Sequence, residues 1–145
     1  MKAVYPVIIT ETTDKKIPYL VHVPDFGRQT QGKDLADAIF MAEDLISLTG
    51  VAMQDDGEEI PPPSKASDID SMTSPWHDGP DAENDIVGET VTLIPVDFDA
   101  YRKKYEQRTV RRNVSLPAWL DHEAARAGIN VSATLQEALR ERLGF

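Results

Sequence analysis

The C-terminal stretch TVRRNVSLPAWLDHEAARAGINVSATLQEALRERLGF, residues 109–145, most narrows what this chain can become. Val110, Arg112, Val114 and Leu116 alternate with Thr109, Arg111, Asn113 and Ser115, the period of a strand. Val114 and Leu116 need a core, which leaves Arg111, Asn113 and Ser115 together on the opposite face. Pro117 suits the first turn of a helix, where its missing N–H would be unbonded anyway. Leu116, Leu120, Ala124 and Ala127 then form a one-sided stripe, and Gly128 is placed to end that helix. Ser132 is expected to cap a second helix with Leu135, Ala138, Leu139 and Leu143 on its apolar side. Leu135 stands where a capping box would need Glu or Gln, so the box is incomplete.

Such a unit falls below the roughly 40 residues at which folding usually needs outside help. Its lone strand also lacks a ladder partner. Two copies that pair their strands antiparallel and interlock their helices remove both problems, with Val114, Leu116, Leu120, Leu135 and Leu139 in a shared core. The resulting two-stranded ribbon fits a DNA major groove. Arginine at 111 has the geometry to bridge guanine O6 and N7, and asparagine at 113 to bridge adenine N6 and N7, with Ser115 beside them. The backbone amides at Ser132, Ala133 and Thr134 are candidates to hold a phosphate. The pattern resembles the ribbon-helix-helix family of repressors, which implies a homodimer on operator DNA. The competing readings are a helical hairpin docked on the rest of the chain and a helix-turn-helix, which would leave the strand pattern unused. Trp119, next to the stripe, is expected at the dimer or domain contact.

Charge separates this tail from what precedes it. Residues 1–100 hold 6 Lys/Arg against 20 Asp/Glu, whereas residues 101–145 hold 9 against 5. An acidic body is repelled by nucleic acid and a basic tail is drawn to it, although solubility alone also accounts for acidity. The chain has no cysteine, which removes disulfides and thiolate metal sites. No run approaches the roughly 18 apolar residues of a membrane span, and Lys2 leads into a strand pattern rather than a signal peptide. A cytoplasmic protein with no membrane partner is expected.

The body reads as strand over 2–13, polar turn at Asp14–Lys16, strand over 17–24, turn at Pro24–Gly27 and a short strand over 28–31. Pro6 donates no ladder bond, so it belongs at an edge, a bulge or a strand start. Asp34 is the expected cap of a helix to about Gln54, with Leu35, Ala38, Ile39, Ala42, Leu45 and Ile46 as its buried stripe. Residues 55–88 read as a long acidic loop containing Pro61-Pro62-Pro63, pinned by Ile60, Ile69, Met72 or Trp76. A strand over 89–97 is expected to face the core with Val91, Leu93 and Val96. A short helix over 97–107, with Phe98, Tyr101 and Tyr105 on one side, precedes the tail.

In the front half, Tyr5-Pro6-Val7-Ile8-Ile9 leads to Tyr19-Leu20-Val21-His22-Val23-Pro24-Asp25-Phe26 and Thr30-Gln31-Gly32, then an acidic amphipathic helix and Ile60-Pro61-Pro62-Pro63-Ser64. This succession resembles the HicB antitoxin family over residues 3–64 and 90–145; residues 65–89 carry little of it. Asp25-Phe26-Gly27-Arg28 departs from the Pro-Gly-Cys-like turn frequent in that family. The resemblance implies an α+β chain: a partial RNase H-like domain over 1–106 and a ribbon-helix-helix DNA-binding domain over 107–145. It implies an antitoxin that neutralises a HicA-like basic, mRNA-cleaving toxin and represses the pair's own promoter. Tyr19 and Phe26, aromatics near a sheet edge, are candidate toxin contacts, with core packing as the other role open to them. The alternative is a stand-alone ribbon-helix-helix regulator whose body senses a small molecule.

No enzyme is expected. Two-metal hydrolysis needs converging carboxylates, usually with one in the middle of the first strand. The interior of that strand, residues 4–10, has no acid, and Glu11 lies toward its end. His22, His77 and His122 fall in three separate segments without metal-ligand spacing. Neither a metal nor a cofactor is called for.

Overall fold

The computed structural model describes residues 1–77, 86–107 and 109–145; residues 78–85, in the later part of the expected acidic loop, and Arg108 lie outside the described residues. Two compact units divide the chain, Met1–Gln107 and Arg108–Phe145.

The first unit is a four-stranded antiparallel sheet with a helix on one face. Its strands are β1 (Lys2–Thr12), β2 (Tyr19–Val23), β3 (Arg28–Gly32) and β4 (Ile86–Asp97), in the order β3-β2-β1-β4. β1 pairs with β4 along its whole length, from Lys2 opposite Asp97 to Glu11 opposite Gly88, with a register shift at Thr12. It pairs with β2 only from Ile8 to Glu11. Pro6 therefore sits where β1 has one neighbour. The Phe98 N–H donates to the Met1 carbonyl, so odd residues of β1 form the bonded pairs with β4. Pro6 and Pro95 then both fall at positions whose missing N–H would have pointed away from that ladder.

The chain turns from β2 to β3 through a 3-10 turn at Pro24–Phe26, which ends on Gly27 at φ 58°. Only two residues separate β3 from α1 (Leu35–Asp55). Asp34 caps α1 as expected, its Oδ1 accepting from the Asp37 N–H at 2.7 Å, while Asp37 reaches back to the Lys33 N–H at 2.9 Å. α1 passes through Gly50 because the Phe98 ring presses there: a Cβ would lie 2.2 Å from its Cε1. At the other end a Cβ on Gly32 would lie 2.4 Å from the Ala38 nitrogen. These two approaches draw α1 down on β3 at its start and on Phe98 farther along.

Between helix and sheet lie Tyr5, Val7, Ile9, Val21, Val23, Ala38, Ala42, Ile46, Ile94, Val96 and Phe98, all buried. α2 (Phe98–Tyr105) is capped by Asp97, which accepts from the Ala100 N–H. Arg102 ties α2 to the end of α1 through Asp55 at 2.9 Å, a favourable charge beside a helix C-terminus. Two expectations shift here. On β4 the core residues are Ile94 and Val96, whereas Leu93 is 52% exposed, because the ladder sets it opposite Pro6 on the far face. On α1, Ala38, Ala42 and Ile46 are buried and Leu45 is half-buried, but Leu35 and Ile39 are 49% and 38% exposed.

The far face is covered too. Ile8 and Thr10 point away from α1 yet are fully buried. Over them runs a strap of residues 60–77 with short 3-10 turns at Ala66–Asp68 and Ser71–Thr73. Tyr5 Oη donates to the Pro61 carbonyl at 2.7 Å, and Asp25 accepts from the Ser64 amide at 2.9 Å. Ile60 packs against the core, but Met72 is exposed.

The strap's end is held by Glu89, which faces Thr10 across the ladder. Its carboxylate accepts from Thr10 Oγ1 at 2.6 Å and Ser74 Oγ at 3.0 Å, and its other oxygen lies 2.5 Å from His77 Nε2. Glu89→Ala leaves the buried Thr10 and Ser74 hydroxyls without this acceptor, at about 1–3 kcal/mol for each. Urea unfolding should show that loss, and limited proteolysis should cut the strap sooner, with Glu89→Gln intermediate. Gly32→Ala should lower stability by about 1–3 kcal/mol, since helix backbone rather than a side-chain tip must yield.

Candidate functional site

Beside α1 the sheet is left partly uncovered. Ile9, Tyr19, Thr90 and Thr92 floor an open groove of about 320 Å³, walled by Leu35 and Ile39 from the helix. The groove lies where α1 leans on β3 and Phe98 occupies the other end of the layer, which leaves Gly88 and Thr90 of β4 exposed. Tyr19 is half-buried at this groove. Phe26 is used differently: its ring meets Tyr5 edge-on at 5.0 Å between centroids and packs on the core. The two aromatics singled out in the sequence are thus not brought together.

Farther along α1, Glu43 lines a shallow hollow with Ala3, Val96 and Asp97. Phe40, Asp44, Tyr101 and Tyr105 border the next one. The Tyr101 and Tyr105 rings meet at 4.5 Å between centroids, tilted by 41°, and Tyr101 Oη donates to Asp44 at 3.4 Å. Burial together with the Asp44 charge holds the Tyr101 hydroxyl above its usual pKa. These groups can accept a cation or an apolar side chain; they form no nucleophile–base pair.

Glu89, Ser74 and His77 form a part-buried polar cluster of catalytic residue types. Here the carboxylate lies between serine and histidine and bonds to each, so histidine is not positioned to take the serine proton. Among the described residues no group of three or more His, Asp or Glu is arranged to hold a metal ion. His22 lies with Nδ1 at 3.3 Å from the Gln29 amide, its pKa lowered by burial.

The second unit consists of α3 (Ala118–Arg126) and α4 (Val131–Leu143), joined at Gly128, φ 67°. Pro117 stands just outside the helix it opens, its carbonyl accepting from the Leu120 and Asp121 amides. The cap of α4 is Asn130, not Ser132: its side chain accepts from the Ala133 N–H at 3.1 Å. Its carbonyl accepts from the Thr134 N–H and from Thr134 Oγ1. The anion cradle expected of Ser132, Ala133 and Thr134 is therefore reduced, because the amides of Ala133 and Thr134 are engaged; Ser132 lies ahead of the first intrahelical bond. Asparagine is as good a cap as serine, so the Gly-Ile-Asn corner could have pointed to it.

Residues 109–116, expected as a strand, have no regular structure in the single chain. A strand needs a ladder partner, and this segment has none among the described residues. Arg111, Asn113 and Ser115 are exposed, but so are the apolar residues meant to lie opposite them. Exposure runs from 38% at Leu135 through Leu120, Leu116 and Leu139 to 51% at Val114. Trp119 is exposed as well. Within the second unit only Ala124 and Val131 are even half-buried among the described residues.

The chain of a solved structure titled as a toxin–antitoxin complex from Streptococcus pneumoniae matches with a TM-score of 0.65 and 24% identity, covering 98% of this chain and 99% of that one. This shows a shared fold. A second, the antitoxin HicB of Burkholderia pseudomallei, matches at a TM-score of 0.49 and 23% identity over 97% and 98% of the two chains. No curated protein matches the sequence. The family model described as the HicB-like antitoxin of a bacterial toxin–antitoxin system matches residues 5–139. Spanning both units, that match makes this chain a member of the HicB-like antitoxin family.

Proposed function

We propose that this chain neutralises a HicA-like mRNA-cleaving toxin with its first unit, a partial RNase H-like domain, and represses its own promoter with its second, a ribbon-helix-helix dimer. Family membership supports the antitoxin role, and the TM-score of 0.65 adds the fold of a toxin–antitoxin complex chain. No catalytic step is assigned to the chain; an antitoxin acts by occupying a surface.

The observation that carries the DNA-binding half is the exposed apolar side of the second unit. A unit of this size with Val114, Leu116, Leu120, Leu135 and Leu139 all open to water gains too little from burial to hold its fold alone. A second copy supplies the missing face, and pairing of residues 109–116 across a two-fold axis supplies the missing ladder. In that pairing Val114 and Leu116 turn inward, and Arg111, Asn113 and Ser115 turn toward the groove. Ser132 is the residue left to take a phosphate at the start of α4. The net positive tail favours DNA, and the net negative body favours a basic partner.

Sedimentation at a series of concentrations should show a dimer, and Leu120→Asp should yield monomers that no longer bind DNA. Arg111→Ala should weaken operator binding by about 1–3 kcal/mol for the lost bidentate contact, read by fluorescence anisotropy, while toxin binding stays as it was. Full repression by the Arg111→Ala chain would refute the strand assignment.

A further inference from the structure

Leu35 and Ile39 belong to the helix stripe that sequence periodicity assigns to the core, yet they stand in water at the side of the α1–β4 groove. The mismatch has a geometric cause. Gly32 and Gly50 set where α1 lies, and the apolar stripe on the helix is wider than the strip of sheet beneath it. The floor has bulk at Ile9 and Tyr19 on one side and only short side chains, Thr90 and Thr92, along β4. A sheet layer of this kind buries its face under helices; here α1 leaves Thr90 exposed and Thr92 half-buried.

Acidic groups outnumber basic ones around the groove: Glu11 and Glu89 line it, and Glu43 and Asp97 line the hollow farther along α1 together with Lys2. Glu11 stands at the top, and one helical turn below Ile39 comes Glu43, with Asp97 across from it. The occupant that fits is apolar along its length and carries basic residues at its flanks; a copy of α1, whose charged residues are all acidic, does not qualify.

We propose that the α1–β4 groove is the toxin-docking surface, filled by an amphipathic helix of the basic toxin with its apolar face on Leu35, Ile39 and Tyr19. This rests on the antitoxin reading and names the surface that carries it out. Apolar burial in the groove supplies affinity, and Glu11 and Glu43 speed encounter. Leu35 and Ile39 are positioned to be covered only in the complex, so a charge at either is tolerated by the free protein and not by the bound one.

The test uses the full chain and the small basic protein encoded beside it, with binding followed by calorimetry. Leu35→Glu and Ile39→Glu should each weaken binding at least tenfold, while the circular-dichroism melting curve and operator binding are retained. Leu93→Glu, on the other face of the sheet, serves as a control and should bind like the unaltered chain. Binding within twofold of the unaltered chain by both groove variants overturns the groove and leaves the antitoxin reading standing. Weakening by Leu93→Glu alone transfers the site to the strap face and also overturns it. A change of oligomeric mass on Ile39→Glu, without toxin present, identifies a second copy as the occupant instead. If the unaltered chain fails to bind the neighbouring product at low salt, the antitoxin reading falls and the groove proposal with it.

Discussion

The ladder between β1 and β4 is the constraint on which the first unit depends. It joins residues 2–12 to residues 86–97, so the β2–β3 hairpin, the long helix and the strap are all enclosed between its two halves. Closing so long a loop carries an entropic cost that local contacts do not offset early. Its return is that one strand serves two layers: odd residues of β1 form the floor under α1, and even residues take the strap. Thr10 and Glu89 meet at a non-bonded pair of the ladder, where side chains approach most closely, and so the buried carboxylate can fasten the strap.

Much of this was legible in residue patterns because local chemistry dictated it. The hairpin turns and the Asp34 cap follow from side chains within a few positions of one another. What was not legible depended on partners distant in sequence. Residues 91, 93, 94 and 96 are all apolar, so alternation alone cannot say which pair faces α1; only the register against Pro6 decides it. Leu35 and Ile39 keep perfect helical phase with Ala38 and Ala42 and still miss the core, because periodicity reports a direction around the helix and not whether sheet lies beneath. The α4 cap was misplaced by two residues between two good capping side chains.

The second unit illustrates a different limit. Its pattern of alternating and helical residues is clear, yet among the described residues Val114, Leu116, Leu120, Leu135 and Leu139 all remain exposed. Such a pattern, met in one chain, looks like a set of exposed leucines. The same applies on a smaller scale to the groove on the first unit. In both places sequence periodicity promises burial that the lone chain does not deliver.

A protein that keeps such surfaces open is at risk of sticking to itself. β4 is the more hazardous boundary of the sheet: twelve residues long, with Val87 and Leu93 exposed. Pro95 lies on its outward-facing side, where it withholds one of the donors an added strand would need, and the irregular register near Thr12 disturbs the other end. Those two blemishes at opposite ends of one edge leave only a short central stretch for unwanted strand addition. They limit strand addition while the groove and the apolar side of the second unit stay open.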